Sequence, residues 1–157
     1  MSIRTIYEIM KLNNINLIHA TCVSVNNNGL LIMGKSSTGK SSLALDLVFS
    51  GGKLIADDIT KIFLKNNLLC ACAPEKLPTG LEVRNFGIIK VPILKETLIN
   101  FVIDLSKTET ERLPQNRTIE ILNAQIPYYK CSKLKNLSKI IYFLTKFGKI
   151  NVDQLYF

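Results

Sequence analysis

The chain has 157 residues, 47% of them hydrophobic, which suits one domain with a real core and is too short for two ordinary ones. No apolar run approaches the roughly 20 residues that cross a bilayer, and charges interrupt the apolar residues between Met1 and Lys11, so no membrane span is expected and a cytoplasmic location is. A formal charge of +8 fits nucleic acid, an acidic protein partner, or a lysine-rich surface around a phosphate site; no helix-turn-helix pair, zinc finger or aromatic RNA-stacking strand accompanies it, so nucleic-acid recognition is not supported.

In chain order, Ile18 to Val25 reads as a strand, Asn26-Asn27-Asn28-Gly29 as a hairpin turn, and Leu30 to Met33 as the returning strand. Pairing the strands about that turn places His19 opposite roughly residues 36 to 38. The single histidine reads either as a hydrogen-bonded residue at a strand end or as an imidazole that orients a catalytic carboxylate.

The second strand runs into Gly34-Lys35-Ser36-Ser37-Thr38-Gly39-Lys40-Ser41, the G-x-x-x-x-G-K-S spacing of a phosphate-binding P-loop, with Ser42 to Phe49 as the helix that follows. Such a loop aims backbone N–H groups at phosphate oxygens, and the helix presents its positive end to the same anion. Lys40 would reach the β/γ phosphates, and Ser41 would offer its hydroxyl to Mg²⁺.

Ser50-Gly51-Gly52 ends the helix, and Lys53 to Ala56 begins a strand closed by Asp57-Asp58. A strand, helix, strand arrangement returns Asp57 and Asp58 to the P-loop edge, where one can take a proton from an attacking hydroxyl and the other help hold Mg²⁺. Neighbours on an extended chain point to opposite faces, so the assignment stays open at this point.

Lys61 to Leu64, a turn at Asn66-Asn67, and Leu68 to Ala73 suggest another antiparallel pair, making the sheet mixed. Leu81-Glu82-Val83-Arg84 puts an acid and a base on one face of an extended segment before Gly87. In the tail, Leu134, Leu137, Ile141 and Leu144 share one helical face opposite lysines; core packing is the default, with a membrane-surface or partner-docking helix as the alternative. Cys22, Cys70, Cys72 and Cys131 lack zinc-ligand spacing and read as reduced core residues.

Four of these pieces, in this order and spacing, resemble the HPr kinase/phosphorylase family, specifically its C-terminal catalytic domain in the short single-domain form of some proteobacteria: Ile18-His19-Ala20, Gly34 to Ser41, Leu54-Ile55-Ala56-Asp57-Asp58, and Leu81 to Ile89. The resemblance covers Ile18 to Pro92 and weakens beyond. It implies an α/β fold, a mixed-sheet P-loop domain like the HPr kinase/PEP carboxykinase catalytic core, spanning residues 1–157. It also implies phosphoryl transfer from a nucleoside triphosphate to a serine of HPr, a small carrier protein of the sugar phosphotransferase system, reversible by phosphorolysis.

Carried over by position, the resemblance makes Asp57 the base, His19 the residue that positions it, and Arg84 a stabiliser of the transferred group. Residues Gly34 to Ser42 (Lys35, Ser36, Ser37, Thr38, Gly39, Lys40 and Ser41 between them) would hold the nucleotide, and Ser41, Glu82 and Asp58 the Mg²⁺. Asp57→Asn is then expected to bind nucleotide and lose transfer. No Asn-Lys-x-Asp guanine motif is present, so ATP is the expected donor, and the family's habit of assembling implies a homo-oligomer. A kinase of another hydroxyl substrate and a nucleotide-binding regulatory module are the rival readings. Three departures stand out: Ser37 where the family usually has glycine, Asn85-Phe86 for its Gly-Leu, and no clear counterpart of its arginine-bearing mobile loop, for which Arg112, Arg117, Lys133 and Lys135 are the basic candidates.

Overall fold

A computed structural model describes residues 16–75 and 79–151; the charged N-terminal stretch read above lies outside them. The first hairpin forms as its sequence dictates. Strand β1 (Leu17–Val25) and β2 (Asn28–Met33) pair antiparallel, joined by Asn26 and Asn27, both in the left-handed region at φ 48° and 63°. Two asparagines suit a two-residue turn that needs positive φ twice. Ala20 therefore faces Met33, and the register carried one residue further sets His19 against Gly34. The expected partner, two to four residues later in the loop, is corrected because Gly29 belongs to the strand and not to the turn.

Helix α1 (Lys40–Phe49) leads to β3 (Lys53–Ala56), which runs antiparallel to β1 and hence in the same direction as β2. Strands β2 and β3 so flank β1, and their C-terminal ends open on one edge. Strands β4 (Ile59–Lys65) and β5 (Leu68–Cys72) form the second hairpin, turning at Asn66 and Asn67. Strand β4 also pairs with Leu17 to His19 of β1.

Segments Leu81–Val83 (β6) and Gly87–Ile89 (β7) make a separate two-stranded sheet, so the expected single signature strand is a hairpin. Strand β8 (Glu96–Asp104) pairs with β5 through Leu98 and then, parallel, with β2 from Ile99 onward. The circuit β2, β1, β4, β5, β8 and back to β2 thus closes on itself. Strands β9 (Thr118–Ile121) and β10 (Ala124–Lys130) extend the sheet beyond β8, and helix α2 (Leu137–Phe147) follows.

Alternation along β1 and β2 divides the core. Ala20, Cys22, Leu31 and Met33 pack with Ile62, Leu69, Val102 and Ile126 inside the curled sheet. Val23, Val25, Leu30 and Ile32 face the other way, onto Leu43 and Leu47 of α1 and Ile141 of α2. The tail helix starts later than its apolar spacing suggested: Leu134 precedes it and is half exposed, while Ile141 is its one fully buried residue. No helix among the described residues is long and apolar enough to cross a membrane.

The four cysteines are free thiols, three of them buried. Burial pushes Cys22 well above the ordinary thiol range and Cys131 up to about 11, with Asp104 adding to the latter. Because the thiolate is the reactive form, a disulfide reagent at pH 8 is expected to leave Cys22 and Cys131 unlabelled until denaturant is added. Labelling of either in the native protein, read by peptide mass, would contradict their burial.

Candidate functional site

Three chain segments meet where β2 and β3 end. The loop Gly34 to Gly39 passes from the central strand β2 into α1, which has no side-chain cap at its first turn. Lys40 folds back beneath the loop, its buried Nζ donating to the carbonyls of Gly34 at 2.9 Å and Lys35 at 3.2 Å. Burial draws the Lys40 ammonium below the usual lysine value, and the carboxylates of Asp58 and Asp57 oppose that shift. Thr38 braces the loop, its hydroxyl donating to the Lys35 carbonyl at 2.7 Å. A cleft of about 520 Å³ opens above. Ser36, Ser37, Gly39, Lys40, Ser41 and Ser42 line one side; Asp58, Glu82, Val83 and Arg84 line the other. Lys35 and Thr38, counted with the nucleotide contacts in the sequence, are not among the lining residues, and Gly34 forms the base of the loop.

The two aspartates do not alternate as strand neighbours would. Asp58 has φ 67°, and the Ile59 N–H bonds back to the Asp57 carbonyl at 2.7 Å, so the chain makes a tight three-residue turn. Asp57 thereby accepts three hydrogen bonds: from the Ser41 hydroxyl at 2.9 Å, the Thr21 hydroxyl at 3.1 Å and the Glu82 N–H at 3.0 Å. Asp58 instead lies on the cleft, where its carboxylate meets Nε2 of His19 at 2.6 Å. Its side chain is 61% exposed, against 25% for the histidine.

The expected partnership of His19 with Asp57 is therefore corrected to His19 with Asp58, the turn at Asp58 being the reason. Thr21, absent from the sequence reading, ties the pair together: its hydroxyl accepts from the Asp58 N–H at 3.2 Å while donating to Asp57. Its position two residues after His19, on the same strand face, was the available signal.

Across the cleft, Arg84 donates from Nη2 to the Ser37 hydroxyl at 2.9 Å. Of the other basic candidates, Arg117 forks onto Glu109 through both guanidinium nitrogens; Arg112, Lys133 and Lys135 do not line the cleft. Among the described residues no three His, Cys, Asp or Glu side chains converge as a metal cage.

A family model described as the HPr serine kinase C-terminal domain matches residues 10–146. The chain belongs to this HPr kinase family. It is 38% identical over 139 residues to the HPr kinase/phosphorylase of Lactobacillus acidophilus, covering 80% of this chain and 43% of that protein. With the HPr kinase/phosphorylase of Mycoplasmopsis pulmonis it shares 35% over 126 residues, 75% of this chain and 41% of the other. The chain thus spans less than half the length of these curated relatives. The solved HPr(Ser) kinase/phosphatase of Coxiella burnetii matches with a TM-score of 0.71 at 28% identity, covering 83% of this chain and 88% of that one. The mixed α/β fold with its strand-rich sheet is accordingly that of an HPr kinase structure.

Proposed function

We propose that this chain is one catalytic domain, residues 1–157, that transfers the γ-phosphoryl group of ATP to a serine of an HPr-like carrier and removes it again by phosphorolysis. The observation that carries the reading is the cleft that a lysine-bearing loop of P-loop type shares with the His19-partnered carboxylate of Asp58, with Asp57 hydrogen-bonded to Ser41 behind it. The same site favours ATP and Mg²⁺ as its cofactors and the cytoplasm, where the nucleotide is found, as its location.

Phosphoryl transfer asks the protein mainly for positioning and charge neutralisation. The loop N–H groups and Lys40 would hold the phosphates. Ser41, hydrogen-bonded to Asp57, forms the hydroxyl and carboxylate pair that P-loop enzymes use toward the metal, with Glu82 at the cleft edge; these oxygens are hard donors that fit Mg²⁺, which takes few protein ligands. Mg²⁺ bound with the nucleotide supplies neutralisation of phosphoryl charge.

Asp58, and not Asp57, would be the base. It faces the cleft, accepts from His19, and is exposed enough to meet an incoming hydroxyl. The serine oxygen would form its bond to the γ-phosphorus as the bond to the β-phosphate oxygen breaks, its proton passing to the Asp58 carboxylate. Arg84 would take up charge on the transferred group. In phosphorolysis, a separate reaction that removes the group, an oxygen of inorganic phosphate would form its bond to the phosphoserine phosphorus as the bond to the serine oxygen breaks, giving pyrophosphate, with the serine oxygen taking its proton from the protonated Asp58 carboxyl.

Incubation of the protein with Mg·ATP and purified HPr is expected to add one phosphoryl group to HPr by intact mass, removed again by excess phosphate. ATP binding without label would move the reading to another hydroxyl substrate or to a regulatory module.

A further inference from the structure

The hairpin carrying Glu82 and Arg84 stands apart from the main sheet: among the described residues β6 pairs only with β7. Its root is fixed by Leu81, fully buried against α1, and by the Glu82 N–H bond to Asp57. Among the described residues its tip has no such backbone anchor. Arg84 opens the turn, followed by Asn85 at φ 64° and by Phe86, 80% exposed. What reaches across from the tip is the hydrogen bond from Arg84 Nη2 to Ser37 Oγ.

Ser37 itself sits in the left-handed region at φ 68°, where a residue with a Cβ is disfavoured relative to glycine. A serine there costs local backbone energy and places a hydroxyl at the summit of the phosphate loop, facing the arginine. We infer that Ser37 is a positioning residue: its hydroxyl ties the Arg84 guanidinium to the phosphate loop and so sets where the β6–β7 tip lies over the cleft.

The inference deepens the kinase reading and rests on it only for its kinetic arm. A bare structural role makes the opposite forecast for Ser37→Gly, since glycine relieves the left-handed backbone and should then be neutral or beneficial. A positioning role separates stability from turnover. The arginine, a flexible side chain on an otherwise untethered turn, loses the acceptor that orders it.

The test compares the full chain with Ser37→Gly, Arg84→Gln and the double variant. Nitrogen-15 relaxation of the Arg84 Nε–Hε group is expected to show an ordered side chain in the parent and a mobile one in Ser37→Gly. Turnover with HPr at saturating Mg·ATP should fall about fivefold in Ser37→Gly, as for a partly exposed hydrogen bond to a charged group, with KM for ATP within about twofold and the melting temperature unchanged or higher. On the Arg84→Gln background, Ser37→Gly should change turnover no further. Equal Arg84 order in parent and Ser37→Gly overturns the inference whether or not HPr is the substrate, as does full turnover in Ser37→Gly or an additive double variant. An inactive parent would instead count against the kinase reading, leaving the relaxation data to decide the role of Ser37.

Discussion

Asp58→Asn is expected to lower transfer to HPr by roughly 10²- to 10⁴-fold, the range that a positioned base contributes, while Mg·ATP affinity stays within about twofold. The amide keeps the size of the carboxylate and an oxygen for His19 but cannot accept the serine proton. Asp57→Asn should behave differently. Its carboxylate sits behind Ser41 and collects donors from Ser41, Thr21 and the Glu82 backbone. Neutralising it weakens the metal side of the site, so the Mg²⁺ concentration needed for half-maximal activity should rise and nucleotide affinity should fall. Calorimetry with and without Mg²⁺, beside rapid-quench single turnovers, separates the two variants. If Asp57→Asn abolished transfer at an unchanged Mg²⁺ requirement while Asp58→Asn stayed active, the assignment would revert to the one implied by motif order alone.

Gly29→Ala is expected to destabilise the fold by about 3 kcal/mol or more, beyond the usual range for overpacking because the clash is with main chain. A Cβ at this position would lie 1.9 Å from the Leu98 carbonyl oxygen and 2.8 Å from the Thr97 methyl. Here β8 leaves β5 and takes up β2, with a register irregularity between Gly29 and Leu30. Neither strand can withdraw without opening the closed circuit of strands. Since β2 leads into the loop Gly34 to Gly39, the proposed nucleotide binding should be lost along with the fold. Urea unfolding followed by circular dichroism reads the change; a midpoint equal to the parent's would mean that the strands separate locally at small cost.

Much of this was legible in local sequence, for reasons that can be named. Asn-Asn pairs at 26–27 and 66–67 each announce a turn needing positive φ, and both hairpins form there. The glycine and lysine spacing of residues 34–41 announced the loop. The misreading at Gly29 arose because glycine serves both turns and close strand contacts, and only the fold tells which; Leu98 is 69 residues away along the chain. The pairing of His19 with Asp58 was hidden by the positive φ of Asp58, a conformation that an aspartate tolerates but does not advertise. Strands β8 to β10 went unread, although Phe101, Val102 and Ile103 and the turn at Leu122-Asn123 signal them. The continuous apolar run of β8 has no alternation to betray a strand buried on both faces. Long-range bonds such as Arg84 to Ser37 leave no local trace at all.

The division of the cleft between two sheets has a bearing on how the enzyme would cycle. His19 lies on β1 of one closed network, and Lys40, Ser41, Asp57 and Asp58 sit on the helix and the turn that follow β2 and β3 beside it, so they share its cooperativity. Glu82 and Arg84 ride on a two-stranded unit with few backbone ties, the kind of segment that opens well before a protein unfolds globally. Under the proposed reading, fluctuation of that unit would withdraw Glu82 and Arg84 from the transferred group, while Lys40 and the loop keep their hold on the other phosphates. Under that reading, nucleotide and protein substrate would exchange on separate clocks, the first set by the core and the second by a hairpin.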